Sequence, residues 1–112
     1  MNYSTVAGEP INSELLSNYF ASLVNAFFKI LPMRENGEVS LPTYMHSLQL
    51  ELFGCRDLIP AISADPQLLT LLSILQDLIS EPETDVKVVK REVFKAIRIC
   101  DKLKAIYAAS EV

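Results

Sequence analysis

The chain has 112 residues, of which half are apolar and 21% are charged, and its formal net charge is −4 at pH 7. This length and composition suit one folded domain with a single core and exclude an intrinsically disordered chain. The first residues lack the basic and apolar segments of a signal peptide, and the longest uncharged run, 15–28, is too short and too polar to span a bilayer. Cys55 and Cys100 are isolated thiols, as is usual in a reducing compartment. We therefore expect one domain over residues 1–112, located in the cytoplasm and without membrane contact.

The first ten residues show no periodic pattern, so we expect residues 1–11 to form a loose N-terminal arm. Asn12 or Ser13 can cap a first helix over about 13–31, whose apolar residues recur in pairs four positions apart. Solvated helix faces usually carry Glu and Lys, but one face of this helix is small or polar and has no charge. That face is a candidate protein interface, unless other helices of the same chain cover it. Its residues are Ser17, Asn18, Ala21, Ser22 and Asn25.

Pro32 ends the first helix, and Asn36-Gly37 marks a turn. A second helix over about 42–59 follows, with a heptad seam of apolar residues. The seam contains Leu41, Met45, Leu48, Leu52, Cys55, Ile59 and Ile62. Asp65-Pro66 begins a third helix over about 66–80, which has only a narrow polar strip. A helix that is apolar nearly all round should be the most buried helix of the fold.

Thr84 or Asp85 can cap a fourth helix over about 86–109, which carries a second heptad seam. That seam contains Val86, Val89, Val93, Ala96, Cys100, Leu103 and Tyr107. At about 100° per residue, five cations gather on the opposite side of the helix. They are Lys87, Arg91, Lys95, Arg98 and Lys102. We expect this basic stripe to face solvent, an acidic protein surface that a second copy could supply, or nucleic-acid phosphates.

The residue types and spacings of common catalytic and metal sites are missing from the sequence. His46 is the one histidine, and it has no metal-ligand partner at a recognised spacing. Cys55 lies about 180° away from it on the second predicted helix, so the two cannot form a nucleophile–base pair there. The three glycines are isolated, which excludes a phosphate-binding loop. We therefore expect neither an enzyme nor a bound metal or cofactor.

Four helices with short connections predict an all-α, four-helix antiparallel (up-and-down) bundle. The expected function is that of a non-enzymatic helical protein–protein interaction or adaptor module. It would form a homodimer or bind another protein through the uncharged face of the first helix or through the two heptad seams. The alternative is a nucleic-acid-associated regulator that uses the basic stripe. A small-ligand binder would need a pocket between the helices.

Overall fold

A computed structural model describes residues 2–81 and 85–109 of the chain, with the side chains of 5–81 and 85–108. The described residues form five α-helices, a two-stranded hairpin and a 3-10 turn over Pro60–Ile62. The hairpin consists of β1 (Asn2–Ser4) and β2 (Pro10–Asn12), and the helices are α1 (Ser13–Phe28), α2 (Ile30–Glu35), α3 (Leu41–Leu58), α4 (Pro66–Ser80) and α5 (Val86–Ala109). The four long helices, α1, α3, α4 and α5, form the all-α bundle that the sequence predicts. The short helix α2 links α1 to α3.

Neighbouring long helices of the bundle run antiparallel. The first turns of α1 lie beside the last turns of α5, where the Ser17 hydroxyl donates to the Lys104 carbonyl at 3.0 Å. The last turns of α1 lie beside the start of α3, where the Tyr44 hydroxyl donates to the Ala26 carbonyl at 2.7 Å. Helix α4 packs between α3 and α5. The order around the bundle is therefore α1, α5, α4, α3.

Polar residues that precede three of the helices cap them. The side chains of Asn12, Asp65 and Asp85 each accept a hydrogen bond from a backbone N–H of the following first turn, at 2.7 to 2.8 Å. Each bond satisfies one of the N–H groups that a helix leaves without a partner at its start. Thr84, the other candidate cap of α5, lies outside the described residues.

The first predicted helix, 13–31, is two helices in the structure. Helix α1 ends at Phe28, and Lys29 forms the junction with α2. Pro32 accounts for the break, because a residue without an N–H interrupts the interior of a helix but is tolerated in its first turn. Gly37 follows the end of α2 with φ at +63°, a left-handed conformation that glycine adopts without strain. The Asn-Gly turn therefore closes a helix.

The N-terminal residues form a hairpin instead of the loose arm that was expected for residues 1–11. Strand β1 pairs antiparallel with β2, and Gly8 has φ at +84° in the turn between them. The Val6 N–H donates to the Leu58 carbonyl at 2.8 Å and so fastens the hairpin to the end of α3. Strands of three residues are too short for an alternating pattern to show in the sequence. Met1 lies outside the described residues.

The core contains most residues of both heptad seams. In the α5 seam, Val86 is exposed and the other six seam residues, of which Val89 is the first and Tyr107 the last, are buried. Of the α3 seam, Cys55 is half-buried and the others are buried. Six of the fifteen residues of α4 are buried, a higher fraction than in the other long helices. The seams thus pack mostly within one chain, which leaves little of either seam exposed for the self-association that was expected of them.

Candidate protein-interaction surface

Five cations lie together on the outer side of α5. All five are exposed: Lys87, Arg91, Lys95, Arg98 and Lys102. Steps of three and four residues keep them within roughly a quarter-turn, and the buried seam occupies the opposite side of the helix. This set is called the basic face below. The Asp85 cap and the packed seam hold it on a regular helix.

Few carboxylates of the described residues neutralise the cations of the basic face. Arg91 approaches Glu92 at 3.5 Å between Nε and Oε1, but the Arg91 side chain remains 69% exposed. An exposed pair of this kind contributes little, so Arg91 stays available to another anion. Within residues 5–81 and 85–108, no ion pair is found for the other four side chains of the basic face. The positive charge of the basic face is therefore available to anionic groups outside the bundle.

An apolar groove runs along one edge of the basic face, between the end of α1 and the first half of α5. Its walls are Phe28 and Phe94, whose ring centroids are 6.3 Å apart with the ring planes at 77°. The two side chains are 50% and 39% exposed. The groove encloses about 440 Å³, and its other lining residues are Leu31, Pro32, Glu35, Val86 and Lys90. Large apolar side chains that stay this exposed in a packed bundle form a candidate contact site.

The sequence alone did not identify this groove. Phe27 and Phe28 are adjacent, and adjacent residues point about 100° apart on a helix, so both cannot reach the centre of the core. The structure buries Phe27 completely and leaves Phe28 at the edge of α1. The feature of the sequence that could have indicated the groove is this aromatic pair followed by Pro32. The helix ends directly after Phe28, so no further turn of α1 covers the outer side of the Phe28 ring.

The uncharged face of α1 is divided by the structure. Ser17 is buried against α5 and donates its hydroxyl to the Lys104 carbonyl. It is therefore not part of an exposed interface, and its inclusion in the predicted one was wrong. Ala21 is half-buried, whereas Asn18, Ser22 and Asn25 are exposed. The small residues let α1 and α5 approach closely, which explains part of the pattern that suggested an external partner.

The exposed part of the α1 face and the basic face lie on neighbouring helices. From Ser17, which meets α5, the α1 surface turns outward through Asn25 and Asn18. On α5 the surface turns outward from Phe94 to the basic face, beginning with Lys87. One side of the bundle therefore presents an uncharged polar strip, the apolar groove and a row of cations.

The two thiols are not poised as nucleophiles. Burial, followed by the nearby charge of Glu51, raises the pKa of Cys55 to about 11. Burial raises the pKa of Tyr19, which lies beside Cys55 and donates to Glu51 at 3.4 Å. Burial also raises the pKa of Cys100 to about 12 within the core. Both thiols are thus protonated at neutral pH, and a protonated thiol is a poor nucleophile and metal ligand.

A second cavity lies where α2 meets the start of α3. It encloses about 240 Å³, and its walls include Met33, Met45 and Leu78, with Arg34 and Glu81 among the polar lining residues. Pockets that enclose drug-sized ligands are usually about 300–1,000 Å³. This cavity is smaller, and the geometry favours the surface of α1 and α5 as the functional site.

Comparison with protein-family models, with curated proteins and with solved structures finds no match to this chain. Among the described residues, no three His, Cys, Asp or Glu side chains come together in a way that could hold a metal ion. None of the helices in the described ranges has the length and apolar character needed to cross a membrane.

Proposed function

We propose that the protein is a non-enzymatic helical interaction module that binds an acidic protein surface through the basic face of α5. The observation that carries this proposal is the exposure of all five basic-face cations on one regular helix. Residues 1–85 carry three basic and eleven acidic side chains, so positive charge is concentrated in this one element. Such a patch on an acidic protein attracts and orients a partner of opposite charge.

Two further features support an interaction module. The exposed polar strip of α1, which includes Asn18 and Ser22, and the apolar groove continue the contact area beyond the cations. His46 is exposed on α3, and the two thiols are protonated at neutral pH, so these groups do not form a catalytic pair.

A second copy of the chain, whose residues 1–85 are acidic, is one source of a suitable surface and would give the expected homodimer. We also propose a cytoplasmic location, and the two free thiols support it because a reducing compartment keeps thiols unpaired.

A second candidate is a nucleic-acid-associated regulator that uses the same face. The observation in its favour is that Phe28 and Phe94 are exposed beside the cations, since aromatic rings and a row of positive charge together bind single strands. The net charge of −4 opposes this candidate, because a long polyanion reaches beyond the basic face to the acidic remainder of the chain.

A charge-reversal experiment tests the proposal. A fluorescein-labelled oligoglutamate peptide should bind the native chain, as measured by fluorescence anisotropy at low and high salt. Lys95→Glu should weaken binding about fivefold, because one exposed charge pair contributes at most about 1 kcal/mol. Lys104→Glu is the matched control: it makes the same change of charge on the same helix, but outside the basic face, and should have less than half the effect in free-energy terms.

The possible outcomes separate the candidates. Equal weakening by Lys95→Glu and Lys104→Glu would mean that only the net charge matters and would overturn the proposal. Stronger binding of a labelled single-stranded oligonucleotide, lost steeply as salt increases, would favour the second candidate instead. Light scattering on the chain alone measures its mass and decides whether the partner is a second copy.

A further inference from the structure

We propose that the apolar groove is the anchor site for an acidic amphipathic helix of a partner protein, whose bulky apolar side chain packs against Phe28 and Phe94 in the corner formed by their two rings. This inference rests on the proposed function of the basic face and adds the form of the partner. Its starting point is that the groove and the basic face belong to one continuous surface of α1 and α5.

The groove has the shape and chemistry of a side-chain pocket. Phe28 and Phe94 stand at 77° to each other and so form two walls, while Leu31 and Pro32 complete an apolar lining. Val86 in the first turn of α5 is 48% exposed at the same place. Grooves that seat an amphipathic helix take one or more large apolar side chains in this way. Burying a phenylalanine or leucine there would remove apolar surface of both partners from water.

The charges around the groove determine which side of the partner helix faces α5. Lys90 lies on the α5 side of the groove, and Arg91 precedes Phe94 by three residues, which is about one helical turn. Glu35 lies on the α2 side. Carboxylates of the partner are therefore attracted toward Lys90 and Arg91 and repelled from Glu35. A helix with its anchor in the groove and its acidic side over α5 satisfies both conditions.

The length of the basic face also suits a helix. From Lys87 to Lys102 the axis of α5 rises by about 22 Å, at about 1.5 Å per residue. Cations that recur every three or four residues meet carboxylates that recur at the same spacing on a second helix laid along the first. An extended nucleic-acid strand would instead gain most from parallel aromatic faces, and the rings of Phe28 and Phe94 are nearly perpendicular.

The test uses two labelled model helices of Glu, Ala and Gln that differ at one position, which is Phe in one and Ser in the other. The Phe peptide should bind the native chain about tenfold more tightly than the Ser peptide by fluorescence anisotropy. Phe94→Ala should remove that difference and leave the affinity for the Ser peptide unchanged. Phe53→Ala is the matched control, because Phe53 is 38% exposed on the outer side of α3, away from the groove. Val86→Ser provides a second groove variant if Phe94→Ala alters the helical circular dichroism spectrum.

Each other outcome overturns the inference in a distinguishable way. If the two peptides bind equally and only Lys95→Glu weakens them, the groove is not an anchor site, but the proposed function stands. If neither peptide binds, or if a single-stranded oligonucleotide of equal charge binds more tightly than both, the proposed function fails as well. If the chain forms a dimer that Phe94→Ala dissociates, the groove is occupied by a second copy and not by a separate partner.

Discussion

Replacing Tyr107 by phenylalanine removes one hydroxyl from the place where three helices meet. That hydroxyl donates to Oδ2 of Asp65 at 2.8 Å, while Oδ1 of the same carboxylate accepts the Gln67 N–H at 2.8 Å and caps α4. The Tyr107 ring stacks on Phe20 of α1, with centroids 5.5 Å apart and planes at 22°. One side chain of α5 therefore contacts both α4 and α1.

The expected cost of Tyr107→Phe follows from which contacts survive. The ring is only 7% exposed and keeps its stacking, so the substitution removes the interactions of the hydroxyl, including its hydrogen bond to Asp65. A hydrogen bond to a charged group contributes about 1.5–3 kcal/mol, and because Asp65 is half-buried, water replaces part of it. We expect the free energy of unfolding to fall by about 1–2 kcal/mol. Urea denaturation followed by far-ultraviolet circular dichroism measures this change.

A double-mutant cycle isolates the contact. Asp65→Ala removes both the cap of α4 and the acceptor for the tyrosine, and should cost about 2–4 kcal/mol. In that background Tyr107→Phe should cost clearly less, because the hydroxyl has already lost the carboxylate of Asp65. If Tyr107→Phe costs the same amount in both backgrounds, the hydroxyl does not act through Asp65 and the reasoning is refuted.

Three further predictions concern stability. Leu75→Ala in the buried centre of α4 should cost about 2–5 kcal/mol in urea denaturation, and Leu69→Ala, whose side chain is 41% exposed, should cost less than about 1 kcal/mol; equal costs would contradict the described packing. Ser13→Ala should raise the urea midpoint, because the completely buried Ser13 hydroxyl has no hydrogen-bond partner among the described residues; a lower midpoint would reveal a partner. Burial raises the pKa of Cys100 to about 12, above the value of 9.0 for an ordinary thiol, so its contribution to stability is complete below pH 9.0 and decreases as the pH rises toward about 12. Cys100→Ala should reduce the loss of stability between about pH 8 and about pH 10.5, and an unchanged pH profile would contradict this assignment.

The helix starts of this fold were accessible from the sequence because they depend on local chemistry. Asp65 before a proline and Asp85 before the basic helix each place a carboxylate where the first turn needs an acceptor. The break after Phe28 was less accessible. Pro32 indicated that the first helix must stop, but a proline is also compatible with the first turn of a new helix. Pro32 lies in the first turn of α2, so the first helix ends at Phe28 and not at about residue 31. The N-terminal hairpin consists of strands of three residues each, which are too short for an alternating pattern to show in the sequence.

The candidate site was predictable only where it lies on one helix. Steps of three and four residues were sufficient to place Lys87 and Lys102 on one face of α5. The groove needs Phe28 beside Phe94, and that proximity results from the antiparallel packing of α1 and α5. Ser17 was assigned to an external interface for the same reason, because the sequence does not show which helices are neighbours. A small uncharged residue is equally suitable for an outside partner and for close packing within the chain, and only the fold decides between them.

The close packing of α1 on α5 has a consequence for how the chain is made. Four buried residues of α1 leave the ribosome before α5, which packs beside them and is the last of the described elements to be synthesised. They are Leu16, Phe20, Leu23 and Phe27. Contacts between residues so distant in sequence slow folding, because the loop between them must close first. The partly synthesised chain therefore exposes an apolar stripe until α5 arrives, and this is the stage at which aggregation or chaperone binding would compete most strongly with folding.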